Sequence, residues 1–344
     1  GLRSGKRLED VVVPPFLPDV PEVRSDILDY LYEIEWFDRH LGRMLTALEK
    51  AGRLDDTLVI VTSDNGMAFP RAKANVYEYG VHMPLAIMWP ARMPGGRVID
   101  DLIGFVDITS TLLDVAGVAH PSKEYPLSGR SFKDILLSKE QGVVDASRDG
   151  VYVARERHSS VRFNSLGYPQ RGLRTRESLY IRNFAPERWP AGAPQKYGTG
   201  SYAEEADVRA RRLGPMHGAY HDIDACPTLD DLVAHHDDPE VSRFLRLAVA
   251  KRPAEELYDI REDPGCLNNL AGDPAHADTL VRLRARLTAY LEETDDPRVT
   301  GDGDVWETYP RYSPLRWFPT PQWAKDDPEN VPHQEWLEKV RPVR

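Results

Sequence analysis

Leu58-Val59-Ile60-Val61-Thr62-Ser63-Asp64-Asn65-Gly66 runs an unbroken apolar stretch straight into a carboxylate and a carboxamide. Val59, Ile60 and Val61 are β-branched, so the run reads as a strand. A strand without polar alternation is expected in a parallel sheet covered on both faces. In open α/β sheets ligands bind just beyond the carboxyl ends of the strands, which is where Asp64 and Asn65 stand. Gly66 then lets the backbone turn away. One anionic and one neutral oxygen suit a hard cation such as Ca²⁺ or Mg²⁺, whereas a histidine at position 65 would suit zinc better. Taken alone, Asp-Asn-Gly is first of all a turn, because these residues are common there.

The pattern on either side is that of an α/β unit. From Ser25 a helix is predicted, with Ile27, Leu31, Ile34, Leu41, Leu45 and Leu48 on its apolar stripe and Gly52 at its C-terminal cap. Downstream, Pro84 to Trp89 reads as a second buried strand, and residues 107–116 as a helix stopped by Gly117. Helix, strand, loop, strand and helix in this order predict α/β layers. Beyond about residue 118 the composition turns polar. Residues 151–155 and 178–184 read as shorter, antiparallel strands, and 186–226 as a long irregular loop. Residues 239–250 and 275–293 read as helices, the second with Leu280, Leu283, Leu287 and Leu291 on one face. The stretch from Gly301 is rich in Pro and Trp and reads as an extended tail. This gives a catalytic α/β portion over 1–148, a smaller α+β subdomain over 149–300 and a tail over 301–344.

The 344 residues allow two domains with real cores, and 41% hydrophobic with 29% charged residues exclude a disordered chain. A formal net charge of -11 argues against nucleic acid or an acidic membrane as partner, but not against an anionic substrate in a locally positive pocket. No apolar run is long enough to span a bilayer. Cys226 and Cys266 are too few for a disulfide framework. The chain opens without methionine on a basic, Pro-rich stretch, GLRSGKRLEDVVVPPFLPDVPEV, which reads as the middle of a longer sequence.

After Asp64-Asn65-Gly66 come Lys73, then Tyr77-Glu78-Tyr79-Gly80-Val81-His82-Met83-Pro84, then an apolar strand ending in Trp89-Pro90. This combination resembles the sulfatase family of the alkaline-phosphatase-like superfamily. The segments 106–118, LSGRSF (127–132) and ELYDIREDPGCLNNLAGDP (256–274) extend the resemblance over nearly the whole chain. PPFLPDVPEVRSD (14–26), Glu156-Arg157-His158, GYPQRGLRT (167–175) and YIRNFAPERWPAG (180–192) resemble the heparan N-sulfatase (sulfamidase) branch and its bacterial relatives. The fold so implied is a partial parallel sheet with flanking helices, joined to a C-terminal α+β subdomain with antiparallel strands.

The resemblance implies hydrolysis of sulfate esters or sulfamates on a glycan or small sulfated sugar. A formylglycine nucleophile, made from Cys or Ser in a C/S-x-P-x-R motif, and a bound Ca²⁺ or Mg²⁺ would carry the chemistry. On this template Asp64 and Asn65 supply metal oxygens and Lys73 lies over the sulfate, although a lone lysine is also an ordinary surface charge. His82 stands where relatives carry arginine, and it reads first as a structural histidine. Glu156, Arg157, His158, Arg171 and Arg174 are candidates for recognising the sugar, since arginine forks suit carboxylate and sulfate. Each could equally form a surface ion pair. Cys226-Pro227 and Ser313-Pro314 both lack the residue that must separate nucleophile from proline, so no nucleophile is expected in this chain. It is expected, with the remaining metal carboxylates, from an N-terminal half of the same enzyme. The resemblance is compatible with a homo-oligomer and with a periplasmic, secreted or lysosomal setting. Two alternatives stay open: a phosphatase or phosphodiesterase of the superfamily, and a non-catalytic glycan-binding or scaffold remnant.

Overall fold

The computed structural model describes residues 6–159, 161–162, 166–192 and 220–309. A 30-residue helix, α1 (Pro21–Lys50), starts with Pro21 in its first turn, where the missing N–H costs nothing. The chain leaves it through Gly52 at φ 64°, a left-handed position that favours glycine. Only the first turns of α1 are buried. Val23, Ile27 and Leu28 pack with Val11, Phe16, Leu17 and Phe69. Further along, Leu31, Ile34, Trp36, Phe37 and Met44 are exposed.

β1 (Val59–Thr62) and β2 (Leu85–Met88) form a two-stranded sheet with Val59 opposite Met88 and Thr62 opposite Leu85. The pairing is antiparallel, not parallel as expected. The physical reason lies in the connection between them. A parallel pair needs a crossover that carries the chain back to the end of the sheet where the first strand began. Residues 63–84 instead re-enter at the end where β1 finished, with one short helix, α2 (Glu78–Val81), inside the loop. β1 is accordingly half-buried rather than covered on both faces. α3 (Phe105–Ala116) follows and ends at Gly117, φ 67°, as its sequence predicts. Asp107 in its first turn accepts from the Gly104 and Arg130 backbone N–H groups and from Arg148. That carboxylate docks the LSGRSF segment, and a Cβ on Gly129 would sit 2.1 Å from the Val106 carbonyl oxygen.

The second sheet has the order β3-β4-β5-β6, all antiparallel: β3 (Gly150–Arg155), β4 (Gln170–Thr175), β5 (Ser178–Asn183) and β6 (Glu255–Asp259). Strand alternation gives it two apolar faces. On one, Leu173, Tyr180 and Leu257 pack against Leu280, Leu283, Leu287 and Leu291 of the helix Ala277–Glu293, the stripe read from the sequence. On the other, Leu179, Ile181 and Tyr258 pack against Val76 and Tyr77 of the 63–84 connection. That connection is therefore clamped between the two sheets. The helices Pro227–Ala234 and Pro239–Val249 form a further core with Tyr220 and Ile223. They are tied to α1 where the Thr228 N–H and hydroxyl donate to Asp26. Among the described residues no helix is long and apolar enough to cross a membrane. Trp306 closes the described chain near Tyr309, and the rest of the expected tail, with Ser313-Pro314, lies outside the described residues.

Candidate active site

The turn after β1 explains its own composition. Asp64 is exposed at the strand end, and among the described residues its carboxylate takes no hydrogen bond or ion pair. Asn65 is half-buried, and its carboxamide nitrogen donates to the Gly66 carbonyl at 2.9 Å, which leaves Oδ1 as the oxygen that can face a ligand. Gly66 is needed for close approach rather than for an unusual φ. A Cβ there would lie 2.2 Å from the Tyr79 carbonyl oxygen and 2.8 Å from the Gly80 Cα. Gly80 is equally constrained, with the Asn75 and Ala72 carbonyl oxygens at 2.3 and 2.6 Å from its Cβ position. The two glycines let the Asp-Asn turn and the Tyr-Glu-Tyr-Gly turn lie on each other.

Lys73 hangs from this same knot. Its backbone N–H donates to the Met67 carbonyl at 3.1 Å, and its carbonyl accepts from the Asn75 side chain at 3.0 Å. The flanking residues Arg71 and Ala74 have φ of 67° and 61°. Arg71 is buried, donates to the Leu247 and Cys266 carbonyls, and stacks 3.9 Å over the Tyr77 ring. The Lys73 ammonium lies 2.8 Å from Asp224, a residue the sequence reading passed over. Asp64 and Asn65 are two oxygen donors of the kind a hard divalent cation takes. Among the described residues no group of three or more His, Cys, Asp or Glu side chains comes together as a metal site.

The remaining candidates divide by sheet face. Arg174 donates through Nη2 and Nε to both oxygens of Glu78, at 2.7 and 3.1 Å, and His82 Nδ1 meets the same carboxylate at 2.8 Å. Burial alone would raise the Glu78 carboxyl, but His82 and Arg174 override it and hold the group at about 2. The Glu78 hydrogen bond in turn raises His82. His82 and Arg174 thus share one carboxylate. Arg171 shares the helix-covered face with Leu173, so strand alternation turns it away from Arg174. It pairs with Glu156 and with Asp296, both at 2.6 Å, and Arg298 reaches Glu156 at 2.9 Å. Arg157 donates to the Tyr309 carbonyl at 2.6 Å. Glu156, Arg157 and Arg171 thus hold the residues after the helix Ala277–Glu293 in place, and the structure does not bring them to Lys73. His158 contacts Asp222 at 2.9 Å.

Asp222 and Glu256 are buried acids whose importance only the fold reveals. Asp222 accepts from Arg155, Arg162, His158 and Ser159. Burial would raise its carboxyl, but the Arg162 and Arg155 guanidiniums hold it well below the usual carboxylate range. Glu256 accepts from Tyr77 (2.8 Å), Tyr258 (2.6 Å) and Asn183 (2.7 Å), and so fastens the 63–84 connection to the second sheet. In sequence, HDIDACP shows two acids two positions apart but not the partners that folding brings to either. Burial pushes both the Cys226 and Cys266 thiols up to about 12, which suits neither for attack.

Comparison with known proteins agrees with this architecture. Residues 10–118 match the family described as Sulfatase, and residues 71–168 match the one described as N-sulphoglucosamine sulphohydrolase, C-terminal. A solved structure of BT4656 in complex with its substrate D-glucosamine-2-N,6-O-disulfate superposes with a TM-score of 0.52 at 22% identity, over 80% of this chain and 42% of that one. The fold is that of the alkaline-phosphatase-like sulfatases, and residues 10–118 are a sulfatase-family segment. Within that family its relatives include the human N-sulphoglucosamine sulphohydrolase, 29% identical over 87% of this chain and 54% of that protein. An ulvan-active sulfatase of Formosa agariphila is 28% identical over 83% of this chain and 41% of that protein. The chain spans about half the length of these curated relatives.

Proposed function

We propose that this chain is part of a sulfatase that hydrolyses sulfate ester or sulfamate groups on a glycan. The observation that carries this reading is the knot itself: an exposed Asp64, the half-buried Asn65 carboxamide and Lys73 are carried on one short, tightly packed loop between β1 and β2. Asp64 and Asn65 would hold a divalent cation, Ca²⁺ before Mg²⁺ because calcium accepts a looser arrangement of carboxylate and carboxamide oxygens. Such a cation, when bound, supplies Lewis-acid stabilisation of charge on sulfate oxygens. Lys73 adds a cationic donor for the same oxygens and for the departing oxygen or nitrogen. The BT4656 complex and the sulphoglucosamine relative support a sulfated amino sugar as substrate. Among the sugar-recognition candidates, Arg174 contacts this loop through Glu78, and His158 contacts Asp222, two positions before the Asp224 that pairs with Lys73.

The same reading assigns residues 1–148 to the catalytic α/β portion, 149–300 to the α+β subdomain and 301–344 to a tail. It places the formylglycine and the further metal carboxylates in a second half of the enzyme that completes the site. The exposed Leu31, Ile34, Trp36, Phe37 and Met44 on α1, Leu85 on β2, and Phe105 and Val106 on α3 support this reading, because apolar groups of that size favour burial against a partner. Calorimetric titration with CaCl2 tests the metal assignment without any turnover. The Asp64→Asn variant should lose at least tenfold in affinity relative to wild type, and equal heats in both would refute Asp64 as a ligand. Release of sulfate from N-sulfoglucosamine should be absent from the bare chain. Turnover above a Lys73→Ala control would overturn the assignment of the nucleophile to another segment.

A further inference from the structure

Asp224 reaches Lys73 from the other subdomain, and both residues are mounted on rigid anchors. Two positions before Asp224, the Asp222 carboxylate is buried among Arg155, Arg162, His158 and Ser159. Between the two acids, Ile223 is buried in the core of the helices Pro227–Ala234 and Pro239–Val249. Four positions after Asp224, the Thr228 N–H and hydroxyl are held by Asp26 of α1 at 2.9 and 2.5 Å. On the Lys73 side, Arg71 and Asn75 fix the backbone as described. The ion pair itself is partly exposed, with 29% of the Lys73 and 18% of the Asp224 side chain accessible. Partly exposed pairs of that kind contribute little to stability, so stability does not account for anchoring both partners.

We propose that Asp224 is a positioning residue for Lys73, holding the ammonium in one place before an anionic substrate arrives. The proposal rests on the reading of Lys73 as the sulfate-facing cation. A free lysine side chain has many rotamers, and a substrate would otherwise have to remove that freedom on binding. The ammonium has three N–H donors. Asp224 takes one and thereby fixes the cone in which the other two point. Asp222 presents Asp224, and Asp224 presents Lys73. A segment distant in sequence therefore sets the geometry of the loop after β1.

The test is a side-chain ammonium spectrum of the full chain labelled with ¹⁵N-lysine. A protected Lys73 signal, assigned by its absence in Lys73→Arg, should be present in wild type. It should persist in Asp224→Glu and vanish in Asp224→Asn, while the backbone amide spectrum of each variant stays that of the folded protein. An unchanged Lys73 signal in Asp224→Asn, or none in wild type, overturns the proposal. Titration with glucosamine N-sulfate then separates the two readings. Weakening of about tenfold in Asp224→Asn, restored in Asp224→Glu, is the expected result. Equal affinity in Asp224→Asn rejects positioning and leaves the sulfate reading intact. A probe that fails to bind wild type, or that leaves the Lys73 signal unmoved, counts against the sulfate reading alone, because the ion pair is read without ligand.

Discussion

Arg174 on β4 grips both carboxylate oxygens of Glu78 on α2, at 2.7 and 3.1 Å, and so bolts the loop carrying Lys73 to the second sheet. Both side chains are largely buried, with 15% and 9% exposed. Removing one partner of such a pair leaves the other charged and unpaired. Glu78→Gln should therefore destabilise the chain by about 3 kcal/mol. Urea unfolding followed by circular dichroism would measure it, and a change within 0.5 kcal/mol would show that the pair is not holding the loop. Arg174→Lys should recover only part of the loss, because an ammonium cannot form the two-pronged contact.

The same pair sets a pH dependence with two limbs. Glu78 is held at about 2, below its ordinary value of 4.5. A depressed carboxyl contributes stability that is present above 4.5 and is lost as pH falls toward 2. His82 is raised above 6.5 by its bond to Glu78, so its contribution is full below 6.5 and fades as pH rises through the folded value. His82 is two-thirds exposed, which makes the second limb the smaller. Melting temperatures across pH 2 to 9 should show both limbs shrink in Glu78→Gln, and in His82→Ala the alkaline limb vanish while the acid limb is reduced but kept by Arg174. Identical curves for Glu78→Gln and wild type below pH 4.5 would refute the first assignment.

Asp222 is a buried acid shared by four side chains. Asp222→Ala would leave the buried Arg155 and Arg162 guanidiniums without their shared carboxylate. A loss of about 3–5 kcal/mol is expected, enough to unfold a marginally stable domain. Expression as soluble, cooperatively melting protein with a midpoint within two degrees of wild type would count against the hub. Asp222→Asn should be milder, since a carboxamide oxygen can still accept.

Gly66→Ala tests the packing of the two turns. The added Cβ would meet the Tyr79 carbonyl oxygen, so the turns must separate, at a cost of about 1–3 kcal/mol. The sharper prediction concerns function. Displacing the turn should weaken Ca²⁺ binding at Asp64 and Asn65 even though neither side chain is altered. Calcium titration of Gly66→Ala at a temperature where it remains folded checks this, and wild-type affinity would show that the turn tolerates the shift.

Tyr77→Phe removes the hydroxyl that donates to Glu256 at 2.8 Å within the buried cluster. Hydrogen bonds to charged groups contribute about 1.5–3 kcal/mol. The variant should be destabilised by an amount in that range, with hydrogen exchange faster at Val76 and Tyr77 than elsewhere. Uniformly faster exchange would indicate a global rather than a local role.

The sequence by itself determined what depends on neighbours along the chain. Ile27 through Leu48 at helical spacing, Gly52 and Gly117 as caps, the β-branched run before Asp64, and Leu280 to Leu291 on one face are all local patterns, and the structure reproduces each. The combination of Asp64-Asn65-Gly66, Lys73 and the Tyr-Glu-x-Gly-Val segment was likewise enough to identify the family, because those residues crowd one short loop. Tertiary structure decided whatever joins distant segments. β1 and β2 run antiparallel because their connection returns to the edge it left, a geometric fact invisible in two apolar runs. Arg171 and Arg174 look like one arginine fork in sequence, yet strand alternation sends them to opposite faces. Asp222 and Asp224 differ by two positions, yet burial among Arg155 and Arg162 makes the first an anchor while the second meets Lys73. A charged side chain takes its role from the partners that folding brings within 3 Å, and those partners here lie on other strands and helices.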